Sequence, residues 1–373
     1  MRWDDPAPDE RAAEDRSWPV VREAWEARIP RARRSMARRW PVLALAAGLV
    51  VAAAALSPPG MAVLGSIRDA VRGSQDELTS LPAPGRVLVN GPTGAWVVQH
   101  DGSKRHLSSY ADASWSPHGL YLAAARGNEL VALEPNGNIH WTLARARPIG
   151  TPMWSYEGYR IAYLSGPSLR IVNGDGTGDR LVARRVAVSP VPALAWRPAT
   201  HQLAYVNARG QLVLLDADRN VVLWRRHVPR VARLLWSDDG GRLLAVAEPA
   251  IVLDPRGRTV ASLPVNGTVV GSAFVPGRED VTLAVDTKAR STVTLARGPR
   301  YTSRRTLFSG PGVFGGIAWS PNARWLLVDW SDADQWIFVR VTATPRVITV
   351  SNINGTFGTG AESRASVGGW CCS

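Results

Sequence analysis

Cysteine is nearly absent from this chain of 373 residues, and the two that occur, Cys371 and Cys372, are adjacent. Two neighbouring cysteines cannot build a disulfide framework, and they lack the Cys-x-x-Cys or Cys/His spacing of a zinc site. A vicinal disulfide and a link to another chain are alternatives. We expect two free thiols and no metal.

Motifs that carry catalysis are missing as well. The sequence has no Gly-x-Ser-x-Gly elbow, no phosphate-binding loop and no His-Glu-x-x-His. The six histidines are scattered and do not form a ligand set. We therefore predict that the chain is not an enzyme and that it carries no cofactor.

Lysine is scarce, with only Lys104 and Lys288, yet the formal net charge is +13 because arginine is abundant. A basic balance favours anionic partners such as nucleic acid, acidic lipid or acidic polymer. The alternative is that arginine simply serves as the solvating residue on every surface.

Long apolar runs are confined to one place, residues 41–57, which contain no charge. Such a run is about 25 Å long as a helix, close to the thickness of a hydrocarbon core, and six arginines precede it between residues 28 and 39. By the positive-inside rule we predict a transmembrane anchor over 40–57, a cytoplasmic tail over 1–39, and an extracytoplasmic remainder. A cleaved signal peptide is the alternative. An extracytoplasmic location argues against nucleic acid as the partner.

The tail contains one amphipathic pattern. Its apolar residues recur at helical spacing on one stripe: Trp18, Val21, Trp25 and Ile29. A helix that cannot bury this stripe within the tail needs a cytoplasmic protein partner or the membrane surface. Residues 58–85 are predicted to form a juxtamembrane helix followed by a linker.

An aromatic residue followed by a tight turn recurs six times at steps of 39, 42, 40, 38 and 45 residues. The aromatics that close these short apolar runs are Trp115, Trp154, Trp196, Trp236, Phe274 and Trp319. Each is followed by two or three β-type runs separated by turn residues such as Glu134-Pro135-Asn136-Gly137. A period of about 40 residues with strand content predicts an all-β fold, a β-propeller of four-stranded blades over 86–373.

The blade count depends on the two ends of this region. Residues 86–107 contain three strand runs without a preceding aromatic strand, whereas Trp370 ends an aromatic strand with nothing after it. Joining the two yields a seventh blade that closes the ring without a covalent link and removes sheet edges. Six blades is the alternative.

The turns Trp115–Gly119 and Trp319–Asn322 carry Trp-Ser-Pro, and this motif with its following strands resembles TolB-type, PD-repeat (WD-like) propellers. The resemblance covers residues 86–371 and implies fold rather than function. The Asp that usually follows the Pro is absent from all six turns except at Asp239 of the Ser-Asp-Asp-Gly variant. The N-terminal α/β domain of TolB is also missing, so the role of TolB is not transferred. The layout also resembles membrane-anchored propeller proteins of actinobacterial type. In layout alone it is similar to anti-sigma regulators, which makes a transmembrane regulator acting through the N-terminal helix an alternative function. A propeller lyase or hydrolase is a weaker one.

The best functional signal in the propeller is the placement of its basic residues. In a four-stranded blade, the loop between strands two and three and the connection to the next blade open on the same face. We assign the following residues to this face as a candidate anionic-ligand surface: Arg126, Arg147, Arg184, Arg185, Arg209, Arg225, Arg226, Arg230, Lys288, Arg290, Arg304 and Arg305. The expected function is therefore non-catalytic binding or sensing outside the membrane.

Overall fold

Seven four-stranded antiparallel sheets make up the part of the chain that the computed structural model describes, residues 78–187, 193–342, 346–358 and 365–372. We number them as blades 1 to 7 and give the strands of each blade from the innermost outward. Blade 1 consists of β28 (Ser366–Cys371), β1 (Arg86–Gly91), β2 (Gly94–Val98) and β3 (Lys104–Ser108). Blade 2 consists of β4 (Ala111–Trp115), β5 (Leu122–Arg126), β6 (Glu129–Leu133) and β7 (Ile139–Ala144). Blade 3 consists of β8 (Ile149–Trp154), β9 (Arg160–Ser165), β10 (Ser168–Asn173) and β11 (Arg180–Ala183).

Blades 4 to 7 follow in chain order. Their strands are β12 (Leu194–Trp196), β13 (Gln202–Val206), β14 (Gln211–Asp216) and β15 (Val221–His227); β16 (Arg233–Trp236), β17 (Leu243–Val246), β18 (Ala250–Leu253) and β19 (Thr259–Leu263); β20 (Thr268–Phe274), β21 (Val281–Asp286), β22 (Arg290–Ala296) and β23 (Arg304–Pro311); β24 (Gly316–Trp319), β25 (Trp325–Trp330), β26 (Gln335–Arg340) and β27 (Arg346–Ser351). A 3-10 turn, Ser331–Ala333, joins β25 to β26, and a short helix α1, Ile353–Phe357, follows β27.

The serine that follows the tryptophan explains why the turn sequence repeats. In blade 2 the Oγ of Ser116 accepts a hydrogen bond from the backbone N of Tyr121 at 3.0 Å, across the turn between the first two strands. Ser155, Ser237 and Ser320 make the same bond to the residue five positions later, at 2.9–3.1 Å. All four serines are buried, so each hydroxyl satisfies a backbone donor that would otherwise lose its solvent.

The repeated aromatics pack between neighbouring blades. Trp196 of blade 4 lies among Ala162 and Leu169 of blade 3, and its indole Nε1 donates to the carbonyl oxygen of Met153 at 3.0 Å. Trp236 of blade 5 packs in the same way against residues of blade 4. Each plate-like ring therefore buries apolar surface of two sheets at once.

The C-terminal strand closes the ring. β28 pairs antiparallel with β1, so that Val87 lies opposite Trp370, and blade 1 takes its innermost strand from the far end of the chain. The prediction of seven blades rather than six is confirmed. In the crossover that precedes β28, Phe357 of α1 is buried against Trp336, with ring centroids 5.1 Å apart.

The predicted linker reaches into the propeller. Leu78, Leu81 and Ala83 are buried in the core cluster shared by blades 1 and 7. The predicted tail with its Trp18 stripe, the predicted anchor over 40–57 and the first part of the 58–85 segment lie outside the described residues. Of the helices that the structure does describe, none has both the length and the apolarity to cross a membrane.

Candidate binding surface on the connection face

The two ends of the ring differ in the loops they carry. We call the turn face the end formed by the loops between the first and second strands and between the third and fourth. We call the connection face the end formed by the loops between the second and third strands and by the blade-to-blade connections. This arrangement follows from the antiparallel order of every blade.

Backbone hydrogen bonds join the connection-face loops of blades 2 and 3. The backbone N of Ile149 donates to the carbonyl oxygen of Gly127 at 2.8 Å, and Asn128 Nδ2 donates to that of Arg145 at 2.7 Å. On the other side of this connection, the backbone N of Gly166 donates a hydrogen bond of 2.8 Å to the carbonyl oxygen of Pro148. The connection between blades 2 and 3 is thus fixed between the two loops beside it.

The next connection is held in the same way between blades 3 and 4. Val186 N donates to the carbonyl oxygen of Pro167 and Ala187 N to that of Val206, both at 3.0 Å, while Ser168 Oγ donates to the oxygen of Arg184 at 3.0 Å. The loops of three consecutive blades therefore form one continuous, hydrogen-bonded surface.

Five of the predicted basic residues lie on this continuous surface, which we call the basic sector: Arg126, Arg147, Arg184, Arg185 and Arg209. All but Arg126 are exposed. No hydrogen bond or ion pair of the side chains of those four occurs in the described part of the chain. Arg126 Nη2 lies 2.7 Å from Glu129 Oε2, and its guanidinium is 5.5 Å from the centre of the Tyr110 ring. The hydrogen bond with Glu129 raises the pKa of Arg126, so the guanidinium keeps its proton, and the paired carboxylate offsets part of its charge.

The other predicted residues of this face are more dispersed. Arg225 and Arg226 lie on the outermost strand β15, and Arg226 donates to the carbonyl oxygen of Gly257 and to Thr259 Oγ1, both at 2.7 Å. Arg230 is 4.0 Å from Glu248, an exposed pair of small energetic value. In blade 6, Lys288 is exposed, and Arg290 donates to Ser309 Oγ at 3.2 Å.

Arg304 and Arg305 were placed on the wrong loop. The sequence assigned them to a blade-to-blade connection, but they begin β23, directly after the loop between the third and fourth strands of blade 6. That loop opens on the turn face. Both side chains bond to carbonyl oxygens of neighbouring blades, those of Pro264 and Thr342, at 3.2 Å.

Acidic residues of the connection face are concentrated on the opposite side of the ring from the basic sector. Asp286 of blade 6 caps its own loop by accepting from Lys288 N at 3.0 Å, and Asp332 of blade 7 accepts from Val313 N at 2.8 Å. Asp329 and Asp334 belong to the same blade. The charge of this face is therefore polarised across the ring instead of being uniformly basic.

A partly buried ionic network engages Arg145, which lies beside the basic sector, and no sequence pattern indicated it. Asp179 ion-pairs with both Arg145 and Arg170 and accepts a hydrogen bond from the Tyr163 hydroxyl at 2.5 Å. Burial acts to raise the pKa of Asp179, but the hydrogen bonds and charges of these partners lower it below the usual value. Arg145 is thus a structural residue that links blades 2 and 3.

The turn face is held together by charged contacts between successive turns. Arg242 of blade 5 lies 3.2 Å from Glu279 of blade 6, and Asp238 Oδ2 accepts from Gly277 N at 2.7 Å. Arg160 of blade 3 pairs with Asp218 of blade 4. Several acids of this face are therefore engaged in contacts that hold neighbouring blades together.

A disulfide joins Cys371 to Cys372, and this corrects the expectation of two free thiols. The pair ends the closing strand, where Cys372 Sγ lies 3.4 Å from the carbonyl oxygen of Pro117. The adjacent cysteines are thus packed against the first turn of blade 2. In the described residues, no group of three or more histidine, cysteine or carboxylate side chains is placed to hold a metal ion.

Comparison with known proteins supports the fold and nothing finer. No protein-family model matches the chain, and the search of curated proteins found no match. A chain in the "Crystal Structure of Mitotic Checkpoint Complex" is 16% identical and superposes with a TM-score of 0.54, over 70% of this chain and 90% of the other. This likeness supports the fold of a seven-bladed, WD40-like β-propeller for the present chain. The β-propeller domain of Myceliophteria thermophila Cps50 (Swd1) is 14% identical with a TM-score of 0.49, over 62% of this chain and 82% of the other.

Proposed function

We propose that the chain is a non-catalytic binding module, anchored to the membrane by residues 40–57, whose propeller meets an anionic surface or polymer through the basic sector. The observation that carries this proposal is the continuity of the sector. Arg147, Arg184, Arg185 and Arg209 are exposed on loops that hydrogen bonds connect across three blades. A propeller of this fold is consistent with binding or scaffolding.

The energetics favour a surface contact over a deep site. A basic residue held near an anionic membrane contributes about 1 kcal/mol, so four exposed arginines together supply about 4 kcal/mol. Because these four side chains have no carboxylate partner among the described residues, binding breaks none of the ion pairs found there. Exposed charges are screened within about 10 Å at moderate salt, so the interaction weakens as ionic strength rises.

The chemistry of the sector argues against catalysis there. Arginine stays protonated and cannot act as a general base at ordinary pH, and the carboxylate of Glu129 in blade 2 is paired with Arg126. A surface of unpaired guanidinium groups is suited to recognise phosphate or carboxylate groups.

The test compares two charge-reversal variants of residues 78–373, the segment that contains all seven blades and the closing strand. One variant carries Arg147→Glu, Arg184→Glu and Arg209→Glu in the sector. The control carries Arg256→Glu, Arg278→Glu and Arg300→Glu, three exposed turn-face arginines with the same total charge change. Co-sedimentation is measured with phosphatidylglycerol vesicles, with phosphatidylcholine vesicles, and with a soluble acidic polymer, polyglutamate.

We expect the sector variant to lose binding about 100-fold and the control to lose it much less, since three contacts of about 1 kcal/mol are removed. Binding to vesicles alone would identify lipid headgroups as the partner, and binding to both probes would identify anionic polymers generally. Equal losses in the two variants, or wild-type binding indifferent to anionic charge, would remove the proposal.

The anchor part of the proposal rests on the charge pattern around residues 40–57 and has its own test. Alkaline phosphatase fused after residue 85 should be active in a bacterial host, because that enzyme folds only outside the cytoplasm. Fusion after residue 39 should be inactive. Activity of both fusions, or of neither, would contradict the predicted topology.

A further inference from the structure

The turn face of blade 3 differs from that of the other blades in its tyrosines. All seven tyrosines of the chain lie in the described segments, and two of them are exposed: Tyr156 and Tyr159, with 52% and 69% of their surface open to solvent. Both lie in the turn between the first two strands of blade 3. At the position of Tyr159, five residues after the blade aromatic, blades 2 and 4 to 7 carry Leu120, His201, Gly241, Glu279 and Arg324. An exposed tyrosine combines an apolar ring with a polar hydroxyl and is enriched where proteins bind partners.

A cavity of about 360 Å³ opens beside Tyr159. It is lined by three residues of the first turn and by three of the hairpin between the third and fourth strands: Gly158, Tyr159 and Arg160, and Asn173, Gly174 and Asp175. Sites for small molecules have volumes of about 300–1,000 Å³. The cavity is therefore large enough for a small ligand.

Gly174 lets the two loops that line the cavity approach each other. Its backbone N donates to the carbonyl oxygen of Tyr159 at 2.8 Å, and a Cβ added at Gly174 would lie 2.5 Å from the carbonyl oxygen of Gly158. The corresponding hairpins of blades 2, 4 and 5 carry larger residues at this position: Pro135, Ala217 and Pro255. The glycine is thus required for the close contact between hairpin and first turn in blade 3.

Contacts with blades 2 and 4 hold the two loops in place. From blade 2, Trp141 Nε1 donates to the carbonyl oxygen of Gly174 at 2.8 Å. On the other side, Arg160 forms an ion pair with Asp218 of blade 4, and its Nη1 lies 3.0 Å from His201 Nδ1. The cavity is preformed, so a ligand does not have to order its walls. The charge of Arg160 is already paired, which removes it as an attraction for an anion.

Two oxygen atoms of the hairpin are open to a ligand. Asp175 Oδ1 accepts from the backbone N and the hydroxyl of Thr177, at 2.9 and 2.7 Å, whereas Oδ2 has no hydrogen-bond partner among the described residues. The bonds from Thr177 lower the pKa of Asp175, so its carboxyl group is ionised at neutral pH. Asn173 Nδ2 donates to Thr177 Oγ1 at 3.2 Å, which leaves Asn173 Oδ1 as an acceptor. A ligand that donates hydrogen bonds fits both oxygens.

We propose that this cavity binds a neutral pyranose unit of a carbohydrate, whose C–H face packs on the Tyr159 ring and whose hydroxyl groups donate to Asp175 and Asn173. A pyranose has apolar C–H faces and hydroxyl groups at its rim, which matches an exposed ring beside oxygen acceptors. An anion is disfavoured because Asp175 is the lining charge that has no ion-pair partner among the described residues. A simple cation is disfavoured because an ion pair with one exposed carboxylate contributes little. The cavity lies on the turn face, so it is separate from the basic sector.

The experiment titrates the full-length protein with three neutral oligosaccharides: cellotetraose, chitotetraose and maltotetraose. The protein is kept in lauryldimethylamine oxide, a detergent without a sugar headgroup that could occupy the site. Saturation-transfer difference NMR measures the affinity and shows which protons of the sugar touch the protein. We expect a Kd on the order of 1 mM, with tighter binding of the two β-linked probes, whose flat chains offer an unbroken C–H face. The strongest saturation should fall on ring C–H protons.

Variants of the lining residues separate the ring from the acceptors. Tyr159→Ala should weaken binding about tenfold or more, whereas Tyr159→Phe, which keeps the ring, should weaken it less than about threefold. Asp175→Asn should weaken it about threefold by removing the charge of the acceptor. The matched control is Tyr156→Ala, an exposed tyrosine of the same turn that does not line the cavity; it should bind like the wild type. Thermal melting of each variant shows that the ring of blades is intact.

Three results would overturn the proposal. They are the absence of binding by all three oligosaccharides to the wild type, equal losses in Tyr159→Ala and Tyr156→Ala, and binding of the diamine putrescine in place of the sugars, which would assign the cavity to a cation. The triple sector variant should bind the oligosaccharides like the wild type. Failure here would leave the basic sector untouched, because its variants and probes are different.

Discussion

The indole Nε1 of Trp370 donates a hydrogen bond of 3.1 Å to the carbonyl oxygen of Pro84, a residue 286 positions earlier in the chain. Trp370 is buried, and its neighbours in the core include Phe338 of blade 7, with ring centroids 5.7 Å apart. One residue thus links the start of the ring, its end and the last complete blade.

Removal of Gly369–Ser373 should destabilise the whole propeller. The deletion takes Trp370 out of the core, at a cost of about 3–5 kcal/mol for the side chain alone, and exposes the edge of β1. Urea unfolding followed by circular dichroism should show a lower midpoint for all blades together, while deletion of Ser373 alone should change little. A truncated protein with wild-type stability would show that β28 is a dispensable end.

Gly257→Ala should cost more stability than Gly277→Ala. Both glycines have positive φ, +78° and +69°, so both substitutions carry a backbone cost of about 1 kcal/mol. A Cβ at Gly257 would also lie 3.0 Å from the Trp224 ring of the preceding blade, whereas one at Gly277 meets nothing within 4 Å. The extra crowding should cost about 1–3 kcal/mol in the free energy of unfolding. Equal losses would mean that the Trp224 contact does not hold blades 4 and 5 together.

Asp179→Asn should flatten the acid side of the stability profile. The partners of Asp179 lower its pKa in the folded state, so its contribution is present above the unfolded value of about 3.9. That contribution is lost as the pH falls through the lower folded pKa. The free energy of unfolding, measured from pH 6 down to 2, should therefore fall less steeply in the variant. Glu248→Gln, at an exposed carboxylate, should leave the slope unchanged; a slope that Asp179→Asn does not alter would contradict the network.

Tyr301→Phe should flatten the alkaline side in the same way. Burial raises the pKa of Tyr301 to about 12, and its hydroxyl donates to the carbonyl oxygen of Glu279 at 2.8 Å. Because the folded-state pKa is raised, the contribution of Tyr301 to the free energy of unfolding is fully present below the pKa of the unfolded chain, about 10. That contribution is lost as the pH rises toward 12. The loss over this window should be about 2–3 kcal/mol in the wild type and smaller in the variant. Tyr159→Phe, at an exposed tyrosine, is the control, and an equal effect of both changes would count against the burial of Tyr301.

The sequence predicted the ring well because its signal is periodic. The Trp-Ser turn recurs in four blades for a physical reason, since the tryptophan fills the gap between sheets and the serine caps the turn. The three strand runs at 86–107 and the strand ending at Trp370 could then be combined into the seventh blade. Membrane anchoring, the TolB-type relationship and the absence of catalysis stay predictions.

The candidate surface was harder to predict because loops vary while strands do not. Arg304 and Arg305 were misplaced because the loop at 297–303 lacks the Asp- and Gly-rich turn that marks the third-to-fourth hairpin elsewhere. From the sequence alone, Arg145 would be expected to be an unpaired cation, because its partner Asp179 lies 34 residues away along the chain.

Hydrogen–deuterium exchange of residues 78–373, with and without phosphatidylglycerol vesicles, tests most directly whether the basic sector is the binding surface. Our account predicts slower exchange on binding in the connection-face loops around residues 126–129, 145–149, 165–168, 184–187 and 206–209. Turn-face segments such as 237–240 and 275–278 should exchange at unchanged rates. Protection on the turn face, with none in the sector loops of protein that is bound to vesicles, would contradict the account.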